Sequence, residues 1–337
     1  MAGITRKVQN KLLSNVIAEL RAVSDRMVEK VSNSERVIQD TQRAINHDHM
    51  VILEELKQRT KNAGSIVLNE HEMVTKIFSG LKMYLDPRDI AVVPHLALDS
   101  IWEHRITAAW LSVVKPTDTV LDVGSNFGYF GALAAQNSDK KHSKIVHFEA
   151  NPHLIPYIHK TLDVNWLNEQ SVVENLAVSD KEGTLTLRIL KDYLGSSSVL
   201  PLEHTAAYMS TKMHLETAEE VKVKAVSLDD YCKKSGIKTV ELIKMDIEGY
   251  EDMAYKGMKS IVKNSPNMTF FIEFTPDSYK DPKGFYNEML HDFGHIYVID
   301  EEGYITKPKK TTYEAIIGDT DDWTMPIFSK NAKLANR

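Results

Sequence analysis

The chain has 337 residues and one cysteine, Cys232. A single thiol excludes an internal disulfide and suits a reducing compartment. No run approaches the ~20 apolar residues of a membrane-spanning helix, and the first residues lack the apolar core of a signal peptide. The expected location is the cytoplasm. A basic surplus is missing too, since 41 Lys and Arg face 47 Asp and Glu, for a net charge of −6. That balance argues against a phosphate backbone as the main partner, so no nucleic acid is expected. The length allows one large domain plus something smaller.

Glycine and proline are absent from residues 4–63. Apolar positions there recur at Leu13, Val16, Leu20, Val23 and Met27, three and four apart as in a coiled-coil seam. After a four-residue slip the pattern resumes at Val31, Ile38, Ile45 and Ile52, weakened by Ser34, Thr41 and Asp48. A helix this polar outside one stripe needs a partner. The expectation is a helical coiled-coil segment over 1–62 that joins chains into a homo-oligomer; a helix lying on its own domain is the alternative. Arg6, Lys7 and Lys11 beside Leu12 and Leu13 suit peripheral contact with an anionic membrane, or a solvated helix end. Residues 63–100 read as a connector, and 101–337 as the catalytic domain.

Strand-length apolar runs then alternate with helical stretches: TVLDVG, KIVHFEA, SVVENLAV, ELIKMDI and MTFFIEF. Between the first two lies YFGALAAQ, whose small residues suit packing on a sheet. This rhythm predicts an α/β fold built from βαβ units, with ligands at the carboxyl ends of parallel strands. HIYVID and YEAIIG read as a closing antiparallel pair.

LDVGSNFGYFG places Asp122 and Gly124 at the end of the first strand and Gly128 at the start of the next helix. The spacing is Gly-x-x-x-Gly, not the Gly-x-Gly-x-x-Gly of dinucleotide enzymes, and a carboxylate here would repel pyrophosphate. It suits a ligand with a cationic group. The second strand ends in Glu149, placed to accept hydrogen bonds from ribose hydroxyls. Ribose joined to a cationic amino acid describes S-adenosylmethionine. Capping by Asp122 and plain exposure of Glu149 are the alternatives.

The chain resembles the FkbM family of S-adenosylmethionine-dependent methyltransferases. The likeness runs in order through MYLDPRD, IWEH, KPTDTVLDVGSNFGYFGALAA, IVHFEANPHLIPYIHKTLDVN, NLAVSDKEGTLTL, VKAVSLDDY, ELIKMDIEGYE and FFIEFTP, over about residues 75–280. It implies a Rossmann-like class I methyltransferase fold with a seven-stranded, mostly parallel sheet whose last hairpin is antiparallel. It also implies methyl transfer to oxygen, often on sugars. By the same resemblance, Asp122, Gly124, Asn126, Phe127 and Gly128 surround the methionine part of the cofactor. Glu149 takes the ribose, with Ala150 and Asn151 beside it. Ala177 and Val178 lie by the adenine, which Asp180 reaches, and Glu103 faces the cofactor from before the first strand.

Transfer to a hydroxyl needs alignment and removal of one proton. KMDIEGYE offers the groups. Lys244 sits in an apolar strand, where an ammonium demands a partner, and Asp246 stands at that strand's carboxyl end. Asp246 reads as general base or substrate clamp. With Glu248 and Glu273 it is alternatively a Mg²⁺ site, whereas Glu248 and Glu251 could instead complement a helix N-terminus. His291 and His295 are four apart but lack a third ligand. The long excursion from Tyr193 to about Glu220 suits a lid over the acceptor, with Ser196, Ser197 and Ser198 able to meet sugar hydroxyls. The expected activity is O-methylation of a carbohydrate-containing acceptor. A non-sugar natural product is the alternative, and a coiled-coil adaptor with a non-catalytic cofactor-binding domain is a third reading.

Overall fold

A computed structural model describes residues 64–190, 192–200, 217–318 and 324–334. The coiled coil over 1–62, the oligomer and membrane contact drawn from it, and the middle of the proposed lid lie outside the described residues.

The stretch read as a connector carries its own structure. β1 (Ser65–Asn69), β2 (Glu72–Lys76) and β3 (Lys82–Leu85) form an antiparallel sheet. In DPRD, Arg88 grips Asp86 through Nε (2.9 Å) and Nη2 (2.6 Å). Asp89 accepts from the Val92 N–H (2.8 Å), opening α1 (Val92–Leu98). α2 (His104–Val113) follows, with Trp110 fully buried, its ring edge-on to Phe130 and Phe271.

The βα rhythm then appears as expected. β4 (Thr119–Val123), α3 (Tyr129–Gln136), β5 (Lys144–Phe148), α4 (Ile155–Val164) and β6 (Ser171–Glu174) lay down three parallel strands. Their near-continuous apolar character fits strands covered on both faces. Ala132, Leu133, Ala134 and Ala135 of α3 are buried, and its Gly131 lies directly over the His147 ring. SVVENLAV is not one strand. It divides into β6 and β7 (Ala177–Val178), and β7 joins β8 (Gly183–Leu190), β9 (Tyr193–Ser198) and β10 (Thr217–Val226) in a separate four-stranded sheet. The first part of the proposed lid is therefore strand β9, paired to β8.

After α5 (Leu228–Lys234), β11 (Leu242–Met245) pairs in parallel with β4. α6 (Glu251–Lys256) and α7 (Lys259–Asn264) lead to β12 (Thr269–Ile272), parallel to β11. α8 (Pro282–Phe293), β13 (His295–Ile299), β14 (Ile305–Thr306), α9 (Tyr313–Ile316) and β15 (Ile327–Ser329) complete the order.

Two expectations are corrected here. The large sheet has eight strands, in the order β14-β13-β15-β12-β11-β4-β5-β6. YEAIIG supplies α9 rather than a strand: Tyr313, Ile316 and Ile317 stand three and four apart and pack together against the core, which is helical spacing. HIYVID, as β13, pairs antiparallel instead with β15, inserted between β12 and β13, and with β14 at the edge. The fold is thus a mixed, mostly parallel α/β sheet with its ligand crevice at the carboxyl ends of β4, β5 and β11. No helix among the described residues is long and apolar enough to cross a membrane.

Candidate active site

Two cavities meet at the carboxyl ends of β4 and β11, sharing Gly124, Gly195, Asp246 and Glu248. The turn after β4 is set by close approach. Gly124 has φ +80°, and a Cβ there would stand 1.8 Å from the Asp246 carbonyl oxygen. Asn126 follows at φ +53° and Gly128 at +84°, opening α3. Gly124→Ala is expected to destabilise the chain by about 1–3 kcal/mol through strain and the displaced β11 end, read as a lower denaturation midpoint.

The first cavity has about 490 Å³ of space, part of it open to solvent. Phe148, Val178, Leu187 and Val199 give it apolar walls, with Ala150, Ala177 and Tyr250 beside them. Glu149 is its acidic group. Oε2 accepts from the Asn126 N–H and Oε1 from the Asn151 N–H, both at 2.7 Å. Burial pushes this carboxyl up to about 7 against those two hydrogen bonds. Each oxygen keeps a second lone-pair direction for a ligand hydroxyl.

The second cavity, with about 960 Å³ of open space, is lined by Glu103, Phe127, Phe130, Lys244, Asp246 and Glu273 among others. Lys244 is buried, donates to Asp246 Oδ2 at 2.7 Å and lies 4.6 Å from the Phe130 ring centre. Burial opposes its charge, but Asp246, Glu103 and Asp122 outweigh that and raise its pKa. Glu103, at φ +43°, is pushed up to about 7 by burial, with Lys244 opposing, and its Oε2 has no hydrogen-bond partner. Burial, then the charges of Asp246 and Glu251, push Glu248 up to about 8. Glu273 is raised well above the usual carboxylate range by burial and by Asp246. The cavity therefore holds one ammonium among four carboxyl groups, of which Glu103, Glu248 and Glu273 are held above the usual carboxylate range.

The proposed roles separate on this geometry. Glu251 Oε1 accepts from the Ile247 (2.9 Å) and Gly249 (3.3 Å) N–H groups, and Oε2 from Tyr279 (2.8 Å), so it holds the turn that aims Glu248 into the cavities. Ser196 lines the second cavity and Ser197 the first, while Ser198 lines neither and donates to the Glu248 carbonyl at 3.0 Å. Asp122 departs from expectation. It lines neither cavity: Oδ2 accepts from the Gly131 N–H at 2.9 Å and lies 3.9 Å from His147 Nδ1, because α3 seats on β4 through that bond. Asn151 and Asp180 likewise line neither cavity. Asn151 ties to the Leu194 carbonyl (3.0 Å) and Asp180 Oδ1 accepts from Ser179 (3.1 Å). For Mg²⁺ the fit fails among the described residues, where no group of three acidic, His or Cys side chains is arranged to hold a metal.

Gly195 was not singled out in the sequence. Its bare Cα lets β9 approach Asn126, whose Nδ2 would be 2.0 Å from a Cβ. His147 is fully buried beneath Gly131 of α3, both ring nitrogens lack a hydrogen-bond partner, and burial lowers its pKa to about 3.

The titrations set a pH dependence. Glu103, Glu149 and Glu251 at about 7 and Glu248 at about 8 stay protonated in the folded chain where unfolded carboxyls, near 4.5, are ionised. The folded state therefore binds more protons between about pH 5 and pH 8, and stability falls as pH rises through that window. His147 acts in the opposite sense below 6.5, as one group against these four. The Tm of the unliganded chain is expected to be lower at about pH 8 than at about pH 6. A Tm that rises over this range would contradict the burial of these carboxyls.

This crevice lies at the carboxyl ends of a mixed sheet of mostly parallel strands, between a glycine turn and an acidic strand end. Residues 122–306 match the family model described as the methyltransferase FkbM domain, more than half of the 337-residue chain, and the chain belongs to that family. Over 156 residues it is 26% identical to methyltransferase sdnD of Sordaria araneosa, a match covering 41% of this chain and 60% of that protein's length. The crystal structure of methyltransferase FkbM from Methylobacillus flagellatus KT aligns at TM-score 0.39 and 14% identity, over 64% of this chain and 44% of that one. A putative O-methyltransferase from Klebsiella pneumoniae aligns at 0.38 and 9%, over 68% and 80%.

Proposed function

We propose that the chain is an S-adenosylmethionine-dependent O-methyltransferase that methylates a hydroxyl of a carbohydrate-containing acceptor. The observation that carries this reading is the junction of a partly apolar cavity bearing Glu149 with a carboxyl-lined cavity at Gly124 and Asp246. The residues present fit the cofactor. Glu149 has lone pairs for ribose hydroxyls, Phe148 and Val178 offer apolar walls, and a Cβ on Gly124 would crowd the junction. Glu103, with its unpartnered Oε2, is placed to meet the cationic amino-acid part, a role that Asp122 does not have the position to fill. When bound, S-adenosylmethionine supplies a methyl group activated on a sulfonium.

The chain's own residues supply orientation and proton removal. Asp246 Oδ is the proposed acceptor of the hydroxyl proton, and Lys244 fixes that carboxylate at 2.7 Å. Glu248 and Glu273, held largely protonated, can donate hydrogen bonds to neighbouring acceptor oxygens, as a polyol demands. Ser196 adds a hydroxyl beside Glu248. FkbM membership supports oxygen as the acceptor atom.

Incubation with methyl-labelled S-adenosylmethionine and fractionated glycans tests this reading. Label is expected in a sugar-containing fraction, with EDTA leaving the rate unchanged. Label found only in sugar-free hydroxylated metabolites would favour the natural-product acceptor instead.

A further inference from the structure

A second cleft lies at the opposite end of the sheet, where α3 and α4 finish and β6 begins. It offers about 950 Å³ of open space bounded by Ser79, Lys82, Gln136, Lys140, Trp166 and Gln170. Three features distinguish it. Trp166 is 80% exposed, far more than a large aromatic side chain needs to be. It also sits at φ +58°, just beyond Asn165 at the end of α4, where the Leu167 N–H reaches back to the Leu162 carbonyl at 2.9 Å. Glycine or asparagine normally takes that left-handed position, and a bulky residue there is an outlier. Finally, Gln170 is 3% exposed, its Nε2 donates to the Ala135 carbonyl at 2.9 Å, and its Oε1 is left without a partner. Ser79 Oγ is buried and unpartnered too.

The frame around these groups is fixed. Asn165 Oδ1 accepts from the Lys82 N–H at 3.0 Å and its Nδ2 donates to the Lys82 carbonyl at 2.7 Å, locking β3 to α4. Gln136 Nε2 donates to the Ser79 carbonyl at 3.1 Å.

We propose that this cleft is a saccharide-binding site, with Trp166 as the platform for the apolar face of a pyranose ring and Gln170 Oε1 and Ser79 Oγ as partners for its hydroxyls. A flat aromatic beside unpartnered polar atoms matches a ligand with an apolar C–H face and a polar edge. An alkyl chain would leave Gln170 Oε1 unpaired. A cationic ligand would meet Lys82 and Lys140 at the rim. The site is separate from the methyl-transfer crevice and does not depend on that reading, so its test needs neither cofactor nor turnover.

The full-length chain is titrated with methyl β-glucopyranoside and methyl β-glucuronide by calorimetry and tryptophan fluorescence. At least one is expected to bind with a Kd of ~1–10 mM, the range of a single stacked ring with a few hydrogen bonds. Trp166→Gly should weaken that binding about tenfold or more while Tm holds or rises, because glycine suits the left-handed turn. Trp166→Tyr should restore part of the affinity. Absence of binding by both sugars, or binding that Trp166→Gly leaves intact, overturns the proposal. A marked fall in Tm for Trp166→Gly overturns it as well, since it would make the indole a packing residue.

Discussion

Asp246→Asn is expected to lower turnover about 10²-fold or more while the affinity for S-adenosylmethionine changes little. The amide is nearly isosteric but is a poor base. It can still meet Lys244, 2.7 Å away in the wild type, so the turn after β11 should keep its shape. The pH profile supplies a second readout. Asp246 is one of the charges that push Glu248 up to about 8 and hold Glu273 high. With that charge gone, both carboxyls should ionise at lower pH, and any limb they control in residual activity should move to the acid side. If turnover survives with an unmoved profile, Asp246 is a structural partner of Lys244 and proton removal passes to Glu248 or Glu273.

Above pH 7, where its carboxyl is ionised, Glu149→Ala is expected to weaken S-adenosylmethionine binding by about 2–4 kcal/mol, through lost charge-assisted bonds to two ribose hydroxyls. Part of the effect is internal. The Asn126 and Asn151 N–H groups, each 2.7 Å from the carboxylate, would lose their acceptor, so the glycine turn and the start of the next loop loosen together. Glu149→Gln separates the contributions, because it keeps an oxygen for one N–H and a side chain of the same size. Calorimetry on folded variants should rank wild type above Gln above Ala. Equal affinities for all three would remove Glu149 from the cofactor site.

The central sheet was legible because buried parallel strands write their apolar runs directly into the sequence, as TVLDVG and ELIKMDI do. β15 was not. It has three residues, follows Pro326 and owes its place to pairing with β12 and β13, distant in sequence. The acidic and glycine positions of the crevice were readable from strand ends, since chain direction fixes which end meets the ligand. Where each carboxylate points was not readable. Asp122 is the penultimate residue of β4 and Glu149 follows the last residue of β5, yet one is captured by the Gly131 N–H under α3 and the other faces the cavity. That choice depends on how closely α3 seats on β4, which Gly131 permits. Glu103 was reached only through the IWEH likeness, and its aim follows from a left-handed backbone at that residue.

The most direct test of methyl transfer to oxygen is mass and NMR analysis of the glycan fraction that takes up label, comparing wild type with Asp246→Asn. The account predicts one added methyl group, its carbon signal that of a methyl ether on a sugar oxygen, formed by wild type and nearly lost in the variant. A methyl found on nitrogen or carbon, or equal yields from both proteins, would contradict it.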